Sequence, residues 1–537
     1  MSFINITTNN LSRRLRNSQT FLDNWVFVPG TSITGDWSKP LLFQSLDDFK
    51  ATCGDEGVEG SPTFAYVCGL LSAGLPVIFR RIAHKNQNSY VPGVSTPDEA
   101  DAVSASYTIK YTINEVNTDI VKFTDKFGGT YGNNMSITLK RSNNAYYLDV
   151  YYKANLIETH KICTYTTEEE NTPAVIWKRI ITVLSSTNFQ QQLQRIDVEV
   201  LYTEEVAAIF PTVEKGKLTG GKDFEHTSVS AEDIKATYEI TPTQSSTLYS
   251  NLSDKVLYQP KFLTSGGYID DDLTTTTTIA QAMLDMSKVR QDCRALIDVK
   301  PGKTEKEIQQ QAEAIGYTQA TSTDLIPSAS MCAPWVYMQV GTEQIWMPPS
   351  YAYLMVVAAD ISAGGTTYTP KAGISRGQIP NVIKAQYDIG SSVSEKWQSD
   401  TDVNVNPIMR LQGGRYIIAG NSTLLKPDPD GEENLFSESS ADLAVIEIRR
   451  FVYNVASKLQ YEYNSTDTFE TFALQVGDFL TKMETEGAIT DYAIANISTN
   501  DEPRKLKIRL DVYLTPTIKA VEIFLNIAYG EIEMGGE

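Results

Sequence analysis

Residues 506–514 read LKIRLDVYL, a stretch in which every second residue is apolar. Side chains of a β-strand alternate between two faces, so the apolar residues of this stretch share one face: Leu506, Ile508, Leu510, Val512 and Leu514. After Pro516 the same period of two returns close to the chain end, at Val521, Ile523, Leu525 and Ile527. Apolar strands of this kind need a sheet to pair with, because an open apolar edge aggregates. We therefore expect a protein that is joined to copies of itself.

Two amphipathic helices are predicted just before these strands. The first is indicated by apolar residues spaced three and four apart, at Val445, Ile448, Val452, Val455 and Leu459. The second repeats this spacing at Phe469, Phe472, Val476, Phe479 and Met483, and Gly487 is expected to end it. Both helices should bury their apolar stripes in one C-terminal domain.

The rest of the chain is predicted to be an α/β framework interrupted by a β-rich insertion. Strand and helix patterns alternate over 25–82 and again from about 250, which favours a largely parallel sheet, and Lys255–Tyr258 is among the expected strands. The stretch between is rich in Tyr, Thr, Val and Ile with Asn and Gly turns. The expected fold is therefore a multidomain α/β (α+β) protein. Its predicted parts are an N-terminal arm over 1–20, the first half of the core over 21–90, an outward-facing β-rich insertion over 91–245, the rest of the core over 246–400, a C-terminal domain over 401–516 and a C-terminal arm over 517–537.

Composition limits the classes of function. A length of 537 residues is too great for one core, so two to four domains are expected. The formal net charge of −20 argues against nucleic acid as a partner, because phosphates would be repelled. Five cysteines without a CxxC pair suggest reduced thiols and cytoplasmic synthesis. We see no secretion signal and no apolar run of membrane-spanning length, so membrane insertion is not expected.

No stretch of the sequence carries a convincing catalytic or metal-binding pattern. The three histidines, His84, His160 and His226, have no paired spacing, and no GxSxG motif is present. Pro301–Thr304 resembles the end of a phosphate loop, but Ile297 stands where the first glycine is needed. The acidic segment Asp428–Glu432 lacks carboxylates at the first and last positions of a calcium loop. We therefore expect no catalytic residue, no metal and no cofactor.

Several segments, taken in order, resemble the sheath proteins of contractile phage tails, R-type tailocins and type VI secretion systems. FVPGTSITGDWSKPLLFQSLDDFKATCG and YVCGLLSAGLPVIFRRI are similar to the family's first α/β unit, and GGTYGNNMSITL and LTGGKDF to the borders of its insertion. MCAPWVYMQV and WMPPSYAYLMVVAADISAG are similar to the segment before the C-terminal domain. VNVNPIMRLQGGRYIIAGNSTLL, at 403–425, resembles the most specific motif, and IEIRRFVYNV resembles the start of the C-terminal helix. The acidic segment KPDPDGEENLFSESSAD between them is longer than the family resemblance leads one to expect.

The resemblance implies a structural subunit and no enzyme. Family members form stacked hexameric rings around a tail tube, and the sheath contracts irreversibly to drive the tube through the target envelope. Expected partners are further copies of the chain, the tube protein, and baseplate and tail terminator proteins, in a virion tail assembled in the host cytoplasm. Inter-subunit strand exchange is expected to use Phe3, Ile4, Ile6, Leu506, Ile508, Leu510, Val512, Val521, Ile523, Leu525 and Ile527. Candidate tube-facing residues are Arg449, Arg450 and Lys458.

Two other interpretations of the sequence stay open. The first is an enzyme with a nucleotide-binding α/β domain, which would need a phosphate loop or a polar catalytic cluster. The second is a surface-layer protein or adhesin, which would usually carry a secretion signal. Electron microscopy of the purified protein separates them, because hollow striated tubes are expected of a sheath alone.

Overall fold

The structure is a computed structural model that describes residues 5–6, 9–10, 24–85, 98–113, 115–165, 172–203, 211–238, 252–270, 273–274, 277–319, 324–399, 404–426, 434–498 and 504–518. Its strands are β1 Asn5–Ile6, β2 Asn9–Asn10, β3 Val26–Gly30, β4 Leu41–Phe43, β5 Val77–Arg81, β6 Ser106–Ile113, β7 Val116–Asp125, β8 Met135–Ser142, β9 Ala145–Tyr152, β10 Asn155–Thr164, β11 Ile196–Val200, β12 Val213–Lys217, β13 Phe262–Thr264, β14 Arg294–Asp298, β15 Ala329–Ala333, β16 Val336–Val340, β17 Glu343–Met347, β18 Gln378–Ile379, β19 Val382–Ala385, β20 Asn406–Arg410, β21 Tyr416–Ile418, β22 Ile489–Asn496 and β23 Ile508–Leu514. Its α-helices are α1 Leu46–Cys53, α2 Thr63–Ser72, α3 Pro173–Leu184, α4 Thr187–Gln190, α5 Ala231–Ala236, α6 Thr278–Arg290, α7 Glu305–Ile315, α8 Pro349–Ser362, α9 Gly373–Arg376, α10 Ser391–Ser399, α11 Ser439–Leu459 and α12 Thr466–Thr485.

A nine-stranded mixed sheet forms the framework, in the order β18-β21-β20-β15-β14-β13-β3-β5-β4. The strands from β20 to β5 in this order are parallel, whereas β4, β21 and β18 pair antiparallel at the two edges. Helices cover both faces, so the central strands β3 and β14 are buried along their whole length. One face packs with α2, α8, α11 and α12, and the other with α5, α6 and α7.

The stretch from β6 to β12 forms a β-rich unit with its own hydrophobic cluster. A four-stranded sheet, β10-β9-β8-β12, and a three-stranded sheet, β11-β7-β6, pack with α3 around Trp177 and Phe123, both fully buried. Arg81 at the end of β5 joins this unit to the framework, because its guanidinium donates to the carbonyl oxygens of Phe127 at 2.6 Å and Gly128 at 2.9 Å. Gly129 cannot be replaced there, because a Cβ would lie 2.0 Å from the Ile33 carbonyl oxygen and its φ is +114°.

The C-terminal block is two long helices followed by a β hairpin. Its helix stripes are buried or half-buried as predicted: Ile448, Val452, Val455, Phe472, Val476 and Met483 lie in the main core, and Val445, Leu459, Phe469 and Phe479 are half-buried. Gly487, with φ +79°, follows α12 and precedes β22.

The predicted strand at Lys255–Tyr258 is wrong. The backbone N–H groups of Val256 and Leu257 donate to Asp254 Oδ1 at 2.8 and 3.2 Å, and the Tyr258 N–H donates to the Asp254 carbonyl oxygen at 3.0 Å. An aspartate side chain thus closes a turn and removes these groups from any sheet ladder.

Candidate functional site

The hairpin formed by β22 and β23 is the element of the described chain best suited to join another molecule. Its two strands pair antiparallel from Ile489 opposite Leu514 to Asn496 opposite Ile508, with one irregularity near Thr490. The ladder extends beyond both strands, because the Ile497 N–H donates to the Lys507 carbonyl at 2.9 Å and the Thr515 N–H to the Ala488 carbonyl at 3.1 Å. Within the described residues this sheet has no third strand, so both outer edges are open.

The two faces of β23 differ as the sequence predicts. Leu506, Ile508, Leu510, Val512 and Leu514 are all half-buried, and all except Leu506 pack on the main hydrophobic core. On the other face, Arg509 pairs with Asp511 at 3.0 Å and the Tyr513 side chain is 58% exposed. One face of the hairpin therefore packs on the core, and both of its backbone edges are unpaired within the described residues.

The backbone N–H and C=O groups of successive β23 residues also point alternately toward β22 and away from it. This alternation decides which groups face the open edge. Lys507 uses its backbone N–H and C=O toward β22, since its N–H donates to Ser498 Oγ at 2.8 Å and its carbonyl accepts from Ile497. With a period of two, Ile508, Leu510 and Val512 then direct their N–H and C=O groups away from β22. These are the groups that an added strand would pair with.

Helix α12 supports the hairpin, and α11 supports α12. The Tyr492 hydroxyl lies 2.9 Å from Thr481 Oγ1 and donates to the Gly477 carbonyl at 3.2 Å. The Phe451 and Phe479 rings stack with centroids 4.0 Å apart, which joins the two helices. The hairpin therefore packs on α12, which in turn packs on α11.

Buried charged groups fix α11 to the framework sheet. Lys261 Nζ lies 2.6 Å from Glu447 Oε2, and both side chains are almost fully buried. Arg294, fully buried, pairs with Asp442 and donates to the Ser439 carbonyl at 2.8 Å. Because unpaired buried charge is costly, these pairs specify one docking position for the helix.

The root of the C-terminal arm is also held in place. The Thr517 backbone N–H donates to Glu438 Oε2 at 3.0 Å, and the Thr517 hydroxyl donates to the same oxygen at 2.8 Å. Glu438 stands at the N-cap of α11 and is buried, whereas the next arm residue, Ile518, is 83% exposed. The contact fixes where the arm leaves the C-terminal block.

The predicted tube-facing residues lie in different environments. Arg450 is buried and donates to the carbonyl oxygens of Gln259, Pro260 and Asp292, each at 3.2 Å. Burial lowers the pKa of its guanidinium. Arg449 donates to Gln291 Oε1 at 3.0 Å, and Lys458 is the exposed member of the three. The tube contact stays a prediction, and these internal hydrogen bonds favour Lys458 as the residue to carry it.

The predicted strand-exchange residues are described only in part. Leu506, Ile508, Leu510 and Val512 lie on the hairpin as given above. Ile6 lies in β1, opposite Asn9 of β2, in a short antiparallel pair within this one chain. Phe3, Ile4, Val521, Ile523, Leu525 and Ile527 lie outside the described residues. Their exchange between copies stays a prediction.

The patterns considered for other chemistry show ordinary structural roles. Thr304 caps α7, and Glu307 returns its carboxylate to the Thr304 N–H at 2.8 Å, so a carboxylate already occupies the place a phosphate would take. This backbone hydrogen bond and those from the Thr304 and Lys303 side chains lower the pKa of Glu307 to about 2. Burial raises the pKa of the Cys68 thiol to about 11, which keeps it protonated at neutral pH. The segment Asp428–Glu432 lies outside the described residues.

Two features are absent from the described part of the chain. In that part of the chain no three His, Cys, Asp or Glu side chains come together in a way that could hold a metal ion. None of its helices combines the length and apolarity needed to cross a membrane.

Comparison with known proteins then identifies the fold. No family model matches the chain. The solved structure of the sheath tail protein of Listeria innocua superposes with a TM-score of 0.60 over 92% of each chain, at 10% identity. The chain has the fold of contractile tail sheath proteins. A sheath tail protein of Desulfitobacterium hafniense superposes with a TM-score of 0.52, at 10% identity, over 95% of this chain and 98% of that one.

A sequence relative agrees with the structural match. A tail sheath protein of a Vibrio phage, KVP40, is 20% identical over 269 residues, which are 47% of this chain and 38% of that protein. The alignment thus spans well under half of the relative's length. The resemblance to the contractile tail sheath family is confirmed, and this family is structural and not enzymatic.

Proposed function

We propose that this chain is the structural subunit of a contractile tail sheath. Copies stack as hexameric rings around a tail tube, and the sheath contracts irreversibly to drive the tube through the target cell envelope, as in viral genome ejection. The observation that carries the proposal is the tail sheath fold with a β hairpin whose edges are open in the described residues.

Strand exchange meets the mechanical requirement of such a sheath, which is that subunits reorient without separating. An arm strand that adds to a neighbour's hairpin forms several main-chain hydrogen bonds, each contributing ~1 kcal/mol net. An extended arm of about twenty residues reaches ~60 Å, enough to span a neighbouring subunit. In the proposed arrangement residues 2–8 and 519–529 supply the added strands, and 506–514 receive them.

A pair of truncations tests the proposal. Deletion of residues 517–537 should abolish polymers and leave a folded, soluble monomer, because the arm strand and its Thr517 anchor are both removed. The matched control is deletion of residues 531–537, which lie beyond the alternating segment and should leave polymers intact. Polymers are scored by sedimentation and electron microscopy, and folding by circular dichroism. Normal hollow tubes from the longer truncation would refute strand exchange through this arm.

The energy for contraction is proposed to be stored as a kinetic trap, because the contracted lattice buries more interface than the extended one. Mild acid, urea or heat should then convert extended polymers in one direction only, with a higher melting temperature afterwards. Such contacts are heterologous and open-ended, which produces filaments and not closed dimers. Reversible changes in polymer length would contradict the stored-energy part of the proposal.

The remaining partners follow from the same proposal. The tube should contact the C-terminal domain, and baseplate and tail terminator proteins should cap the two ends of the polymer in a virion tail assembled in the host cytoplasm. Lys458, exposed on the last turn of α11, is the cation best placed to meet an acidic tube. The β-rich insertion is proposed to face outward. Purified protein should hydrolyse no ATP, because nothing in the proposed cycle requires a nucleotide.

A further inference from the structure

The three-stranded sheet β17-β16-β19 has one buried and one exposed face. Val336, Met338, Val340 and Met347 turn into the main core. The opposite face carries five neighbouring side chains, here named the aromatic platform: Tyr337, Gln339, Gln344, Trp346 and Lys384. Register places them together, because Tyr337 pairs with both Trp346 and Lys384 across the strands, and Gln339 pairs with Gln344.

The platform concentrates groups that bind protein surfaces strongly. The Tyr337 and Trp346 rings lie 5.3 Å apart, and Lys384 Nζ stands 5.2 Å from the first ring centroid and 5.5 Å from the second. Trp346 is 38% exposed. An exposed Trp and a half-buried Tyr beside a cation have the composition of interface hot spots.

The charge on the platform is opposite to that of the molecule. Its members include one cation and no carboxylate, on a chain with 66 acidic and 46 basic residues. Among the described residues, the Lys384 ammonium contacts the two rings and lies within 4.0 Å of no carboxylate. A partner that suits the platform therefore offers apolar contact for the indole ring and a carboxylate for the lysine.

We propose that the aromatic platform binds a carboxylate-bearing surface of a second copy of this chain. This inference rests on the proposed function, because a polymer of an acidic chain presents acidic surfaces of other copies at high local concentration. It adds a contact that does not depend on strand exchange: side chains of the framework, far in sequence from both arms, hold neighbouring copies together. Pairing of the Lys384 ammonium with a carboxylate of the neighbouring copy, beside the two rings, fixes the orientation of this contact.

Two substitutions and a matched control test the proposal on the full-length chain. Lys384→Glu reverses the charge of the platform and Trp346→Ala removes its largest ring, and each should raise the concentration needed for polymerisation by at least about tenfold. The control Lys288→Glu makes the same charge change on the exposed side of α6, and should polymerise like the unchanged chain. All three variants should melt within a few degrees of the unchanged chain, because the altered side chains are at the surface.

A zero-length carbodiimide cross-link provides a second readout. Polymers are grown from a mixture of ¹⁴N- and ¹⁵N-labelled copies, and the expected product joins Lys384 of one copy to an Asp or Glu of the other isotope. Normal polymerisation of both platform variants would overturn the proposal and leave the sheath function intact. Normal polymerisation with loss of tube binding would assign the platform to the tube and overturn the second-copy partner.

The same experiment separates this inference from the proposed function. If the unchanged chain forms no hollow tubes, the sheath function fails. The isotope-mixed cross-link, carried out at the same protein concentration on whatever assembly forms, then decides the platform alone: a Lys384 cross-link between copies supports it, and absence of one overturns it.

Discussion

Replacement of Asp442 by Asn should loosen helix α11, which carries the base of the hairpin and the root of the arm. Asp442 accepts from Arg294 and from the Ser328 hydroxyl, and the Arg294 side chain is fully buried. The substitution keeps the shape of the side chain but leaves the guanidinium without its counter-charge. Removing one partner of a buried ion pair costs about 3–5 kcal/mol. The Ser439 carbonyl still accepts from Arg294 at 2.8 Å, which places the expected cost at the lower end, about 3 kcal/mol.

Hydrogen exchange measures this loss of stability at α11 itself. A single melting temperature of a multidomain chain does not report the stability of one helix. At about 1.4 kcal/mol per factor of ten, 3 kcal/mol corresponds to roughly a hundredfold faster exchange of the α11 amides. Amides of α3, in the insertion, should be unaffected, because α3 packs in a separate hydrophobic cluster.

An exposed ion pair is the matched control. Lys482 and Glu486 are separated by 3.8 Å near the end of α12, and the Lys482 side chain is 67% exposed. Lys482→Ala should change exchange less than about fivefold, since surface pairs contribute about 0–1 kcal/mol. Equal effects of the two substitutions, or less than a tenfold change in α11 for Asp442→Asn, would refute the argument that buried charge positions this helix.

Three further predictions follow from particular contacts. Desolvation raises the pKa of Asp298 from 3.8 to about 6 despite hydrogen bonds from Ser350, so the folded protein holds this proton more tightly than the unfolded chain does. The stability that Asp298 contributes is therefore full below pH 3.8 and is lost as pH rises to about 6. Asp298→Asn should remove this pH dependence of the free energy of unfolding, as measured by urea titrations at several pH values. Glu438→Ala removes the carboxylate oxygen that accepts both Thr517 hydrogen bonds, so the Thr517 amide should exchange at least about tenfold faster and polymers should form less readily, whereas unchanged exchange would show that the contact does not hold the arm. Arg450→Met removes the hydrogen bonds to three carbonyl oxygens and should speed exchange of the α11 amides at least about tenfold, while Lys458→Glu should leave this exchange unchanged and weaken binding to the tube; the reverse pattern would place Arg450 at the tube.

Local patterns predicted the elements on which the fold depends. The period of two over 506–514 and the helix stripes at 445–459 and 469–483 are properties of neighbouring residues, and each is present with the expected face buried or half-buried. The parallel framework followed from the alternation of strands and helices. These signals arise from short-range geometry, so one sequence is sufficient to read them.

Contacts between distant residues could not be read in the same way. Glu438 and Thr517 are 79 positions apart, and Arg450 meets the carbonyl oxygens of Gln259 and Asp292 across the chain. The usual rule that arginine on an amphipathic helix faces solvent places Arg450 outside, but backbone carbonyl groups just before β13 and β14 make its burial favourable. An acidic residue directly before α11 was the available signal for Glu438, and it did not reveal which segment the carboxylate would bind.

A cryo-electron-microscopy reconstruction of the assembled polymer tests the central claim most directly. The account predicts that residues 519–529 of one copy lie beside β23 of another, with main-chain hydrogen bonds to an edge that is open in the described chain. Arms that fold back onto their own hairpin, with neighbouring copies touching through side chains alone, would contradict it.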